Sequence, residues 1–92
     1  MDVQSYEKLF SFIENSKEII PMDGYLESCR FFEHGEFEMA FEGLLIELIT
    51  EGKKPKGFNA AEWIALGKEF ELDKDSVFDG DIWEKFIEWA SK

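Results

Sequence analysis

Residues 36–51 form one segment that is apolar on two sides of a single helix. Phe37, Phe41, Leu44, Leu45 and Leu48 recur at intervals of three and four and make one broad stripe. Met39, Gly43 and Ile46 fall on the opposite side. A helix that is apolar most of the way round needs cover from several directions, so this segment predicts the central helix of a bundle. A strip left open for a partner is the alternative.

The rest of the chain is read against that helix. From about Val3 to Asn15, the residues Val3, Tyr6, Phe10 and Ile13 share a helical face, with Asp2 placed as N-cap. Pro21 stands where a second helix would begin, since a proline in the first turn loses no hydrogen bond. That helix runs to about His34 on the stripe Met22, Leu26, Cys29 and Phe32, and Gly35 supplies its left-handed stop. Gly52 ends the central helix. Residues 50–58 form a loop with two Gly, one Pro and three Lys. Asn59 followed by Glu62 has the spacing of a capping box, and a fourth helix to about Glu71 uses Trp63, Leu66 and Phe70. Residues 72–81 are an acidic connection, and a fifth helix from about Asp81 to Ala90 packs Ile82, Phe86 and Trp89. No run alternates as a strand would, and no repeat is present. The expected fold class is all-α, a compact bundle of four or five short helices forming one domain over residues 1–92.

Composition confirms that such a core can form. Ten Phe, three Trp and two Tyr in 92 residues exclude an acidic disordered tail. The N-terminus lacks a basic region followed by an apolar run, and Leu44-Leu45-Ile46 is far too short to span a bilayer. A single cysteine allows no internal disulfide. The expected compartment is the cytoplasm.

The net charge of −11 then narrows the partners. Residues 1–52 hold twelve acids and three bases, a balance of −9, and residues 53–92 hold nine acids and seven bases, a balance of −2. Nucleic acid and anionic membrane would be repelled. A basic protein is the complement, and opposite charge would speed the encounter.

Little in the chain suggests catalysis. The one Cys and the one His sit five positions apart. Cys29 lies on an apolar stripe and is expected as a small buried hydrophobe. His34 sits at a helix end, where it suits exposed carbonyls. The count excludes a His/Cys metal cluster. Asp73, Asp75, Asp79 and Glu84 match positions 1, 3, 7 and 12 of a calcium loop, but Val77 replaces an oxygen ligand and Phe78 replaces the required glycine. No glycine-rich phosphate loop is present. The expectation is a protein without enzymatic activity, metal or cofactor.

The stretch Cys29-Arg-Phe-Phe-Glu-His-Gly-Glu-Phe-Glu-Met-Ala-Phe-Glu-Gly-Leu-Leu-Ile-Glu-Leu-Ile49 resembles the core signature of small bacterial immunity proteins of the MafI kind, which act in contact-dependent growth inhibition. In that signature a helix closes on an acidic-His-Gly-Glu turn. An aromatic, a Glu, an Ala and a Leu-rich helix follow. Leu66-Gly67-Lys68-Glu69 and the acidic step toward Trp83-Glu84 are similar to the family's C-terminal helices. The likeness covers some two thirds of the chain; the Lys-rich loop and the Phe-heavy first helix depart from it. It implies a cytoplasmic antitoxin that neutralises a cognate toxin domain delivered by neighbouring bacteria. Such toxins are often nucleases, RNases being the leading case, and a nuclease surface is basic in order to hold its substrate. The competing expectation is an acidic adaptor or regulatory module that binds a basic cytosolic protein.

Two patches are candidates for partner binding. One is the turn and start of the central helix, Glu33, His34, Glu36, Glu38 and Glu42. The other is the connection Asp73, Asp75, Asp79 and Asp81, with Trp83 as an aromatic anchor. The second patch is favoured, because bundle geometry alone does not call for so many acids there.

Overall fold

A computed structural model describes residues 3–92; the Asp2 cap lies outside the described residues. Five helices follow one another: α1 (Val3–Asn15), α2 (Met22–Glu33), α3 (Phe37–Glu51), α4 (Ala60–Glu69) and α5 (Ile82–Ala90). No strand occurs among the described residues, and none of these helices is long and apolar enough to cross a membrane. The fold is an all-α bundle measuring 30 × 28 × 24 Å.

α3 is the central helix. Ala40, Phe41, Leu44, Leu45 and Leu48 are fully buried, and α1, α2 and α5 all pack on α3. The closest packing is α2 on α3, where small residues allow it. Gly24 of α2 faces the side chain of Glu47, and Gly43 of α3 faces Ser28. An aromatic cluster fills the other side. The Phe12 ring stacks on Trp63 at 4.2 Å, and Phe41 meets Trp63, Phe70 and Phe86 at about 6 Å between centroids. Such contacts add to the area each ring buries.

The helix ends follow the local chemistry read from the chain. Gly35 (φ +74°) and Gly52 (φ +68°) take the left-handed conformation that stops α2 and α3. The Asn59 side chain accepts the Glu62 N–H at 3.0 Å and caps α4. Pro21 is the residue before the first turn of α2, one position earlier than a first-turn proline.

The faces of α1 and α2 differ from expectation. α1 turns Ser5, Leu9, Phe12 and Ile13 inward and leaves Val3 and Phe10 on the surface. α2 buries Tyr25 and Ser28, while Met22 and Leu26 are exposed. Polar residues hold core positions here because each finds a partner. Ser16 donates to the Phe12 carbonyl at 2.8 Å, Ser5 to the Glu69 carboxylate, and Tyr25 to Glu14 at 2.5 Å. The bond to Glu14, and then contact with Cys29 and burial, hold the Tyr25 phenol above its ordinary value of 10.0. Cys29 is half-buried rather than enclosed. The displaced stripes meet beside Phe32, where Val3, Tyr6, Phe10 and Phe32 line an open apolar groove.

Candidate functional site

The connection between α4 and α5 is built around a single buried carboxylate. Glu42 is 0% exposed. Its Oε1 accepts the Val77 N–H at 2.7 Å, and its Oε2 accepts those of Phe78 and Asp79, both at 2.8 Å. Three consecutive backbone N–H groups thus converge on one anion, a concavity suited to negative charge. Burying a carboxylate costs several kcal/mol unless its oxygens are hydrogen-bonded, and charge-assisted bonds of this length are the strong kind. A calcium loop points oxygens inward at a cation. Here N–H groups point inward at an anion, the reverse polarity, which gives Val77 and Phe78 a role that the calcium pattern denied them.

Glu42 is therefore removed from the surface patch in which the sequence placed it. The signal was weak: along the helix Glu42 lies between Phe41 and Leu45 on one side and Ile46 and Met39 on the other, but Glu38, one turn earlier and exposed, shares that apolar arc.

Two further anchors complete the connection. Glu71 (φ +62°) takes the left-handed conformation after α4, and the Leu72 N–H bonds the Gly67 carbonyl at 3.0 Å, which buries Leu72. At the other end Asp79 Oδ1 accepts the Asp81 N–H at 2.9 Å, and its Oδ2 accepts from Lys85 at 2.8 Å. The Lys85 ammonium, followed by the Asp81 N–H, holds the Asp79 carboxyl below its ordinary 3.8 and in turn raises Lys85 above 10.5. Asp81 occupies the N-cap position of α5 but makes no side-chain capping bond; Asp79 organises that turn.

With the loop fixed, one residue of each candidate patch, Glu38 and Asp75, comes to line the same cleft. Glu71, Ser76 and Val77 border it too, over a floor that includes Phe70. Phe78 lies against Phe31 of α2, 5.9 Å between ring centroids. Glu33, His34 and Glu36 are exposed on the turn that follows Phe31, and the Glu36 N–H donates to the Phe31 carbonyl at 2.9 Å. The His34 ring holds the Arg30 carbonyl at 2.8 Å and closes α2, as its position suggested. Asp73, Asp75 and Asp81 are exposed, and Asp79 is half-buried.

Trp83 lines a separate cleft together with Asp73, Asp75, Ser76, Gly80 and Glu84. It is half-buried, edge-on to Phe86 at 5.3 Å, and its ring covers Gly67 so closely that a Cβ there would lie 2.9 Å from it. The exposed apolar residues of the loop are Phe78 (51%) and Val77 (47%). An acidic cleft beside an exposed apolar tip has the layout of a protein interface, with an anchor that can be desolvated and a rim that stays wet. Among the described residues no three His, Cys, Asp or Glu side chains converge as a metal site would require.

Set against known protein families, curated proteins and solved structures, the chain matches none of them.

Proposed function

We propose that this chain is a cytoplasmic immunity protein: it binds a cognate basic toxin domain, a nuclease with RNase as the leading case, and neutralises it by covering its active-site or nucleic-acid surface. The observation that carries the reading is the cleft where Glu38, at the start of α3, meets Glu71 and Asp75, beside the exposed Val77 and Phe78. It joins the net charge of −11 and the resemblance of residues 29–49 to the immunity signature. In this mechanism the protein needs no catalytic group, metal or cofactor. Charge draws the toxin in, and desolvation around Phe78 then slows its release.

The test is co-expression with the toxin domain encoded beside this chain, scored by growth and by pull-down. Rescue of growth with a stable complex supports the reading. Raising salt from low to physiological levels should slow capture by about 10-fold or more, as for other steered pairs. Asn at Asp73, Asp75 and Asp81 should do the same without unfolding the protein. Growth arrest despite full expression, or stable co-purification with a housekeeping assembly in place of a toxin, contradicts it.

A further inference from the structure

We infer that Val77 and Phe78 are the apolar anchor of a docking surface whose partner is a basic protein segment carrying an apolar residue next to a lysine or arginine. The inference rests on the preceding reading for the choice of face and names the chemistry that the face selects.

Single exposed apolar residues are ordinary. These two differ because the backbone beneath them is pinned. The N–H groups of Val77, Phe78 and Asp79 are the three that Glu42 holds, so a fully buried carboxylate is spent on fixing the position of an exposed tip. A tip fixed in advance loses little conformational freedom when a partner covers it. Phe31 lies under Phe78 and extends the apolar step.

Beside the tip is the cleft of about 210 Å³ lined by Glu38, Glu71, Asp75, Val77 and Phe70. Its carboxylates do not converge as a metal site requires. Apolar floor and acidic mouth together suit a long organic cation, whose methylenes lie along Phe70 and Val77 while its charged head meets the acids. One lysine or arginine of the partner fills the cleft, and its apolar neighbour covers Phe78. The net charge of −11 rules against a second copy of this chain as occupant, and equally against nucleic acid.

The experiment titrates the full chain with two synthetic peptides of equal positive charge, one with leucine between lysines and one with alanine in its place, followed by backbone amide shifts. The leucine peptide should bind at least about 10-fold more tightly, the equivalent of burying part of one side chain, and should perturb residues 75–79. Phe78→Ala should erase that preference and Phe78→Leu should keep most of it. Asp75→Asn should weaken both peptides alike. Equal affinity for the two peptides, perturbation centred elsewhere, or no binding at all overturns the inference. A leucine preference at Phe78 in a protein that fails to rescue growth would keep the docking inference and remove the toxin reading. Growth rescue unaffected by Phe78→Ala, with no peptide preference, would do the reverse.

Discussion

Between α3 and α4 the chain is fastened by its own aromatic. Phe58 sits between Trp63 and Trp89, with centroids 5.2 and 5.0 Å away; Pro55 is buried; and the Trp89 indole N–H bonds the Lys53 carbonyl at 3.1 Å. Even the charge turns inward, the Lys54 ammonium lying 4.7 Å above the Trp89 ring. Between α4 and α5 the fastening comes from outside the loop: Glu42 reaches over from α3 and holds backbone N–H groups only. The first loop uses up its aromatic in staying folded. The second leaves Phe78, Val77, Asp73, Asp75 and Asp81 exposed to another molecule, and only Asp79 is held, by Lys85. A loop anchored through its backbone can present side chains that a loop anchored by its side chains cannot.

The largest expected effect comes from removing the outside anchor. Glu42→Ala should destabilise the fold by about 3 kcal/mol in chemical denaturation, since three N–H groups lose a charged partner and a buried space opens. Stability near that of the wild type would mean that the loop does not depend on this carboxylate. Next come the two phenylalanines, which sharpen the contrast. Phe58→Ala should cost roughly 2 kcal/mol, because the half-buried ring belongs to the aromatic cluster. Phe78→Ala should cost under about 0.5 kcal/mol, as surface changes do. Equal losses would erase the distinction between the loops.

The smallest effect is the surface ion pair of Lys85 with the half-buried Asp79. Asp79 titrates below its ordinary value, so its contribution is present above pH 3.8 and lost as pH falls through the lower folded value. Lys85 titrates above its ordinary value, so its contribution is complete below pH 10.5 and lost as pH rises beyond it. Stability profiles of the wild type and Lys85→Met should therefore differ by a small, constant amount between those limits and converge outside them. A difference that grows across neutral pH would assign the pair another role.

The contrast between regions also explains what the chain made legible. α3, α4 and α5 were readable because large apolar residues alone mark their inner faces, as Ile82, Phe86 and Trp89 do in α5. α1 and α2 each carry two apolar stripes, and the buried one is interrupted by Ser5, Ser28 and Tyr25. Hydrophobicity then selects the wrong stripe, because hydroxyls satisfied by a distant residue look polar in one dimension. The acidic loop was recognised by its aspartates, but its organising group lies more than thirty residues upstream. Only the place of Glu42 inside an apolar arc hinted at it, and Glu38 shares that arc. Trp83 drew attention by size; Phe78, which had counted against a calcium loop, holds the exposed position.

The central claim is that Glu42 fixes the loop tip, and amide hydrogen exchange at Val77, Phe78 and Asp79 tests it most directly. In the wild type these three amides should exchange at least about 100-fold more slowly than in an unstructured peptide, although the loop lies at the surface. In Glu42→Ala all three should lose that protection together, while the amides of Gly52, bonded to the Leu48 carbonyl of α3, and of Phe58, bonded to the Pro55 carbonyl, keep theirs. Exchange at unstructured rates in the wild type, or protection unchanged by the substitution, would contradict the account.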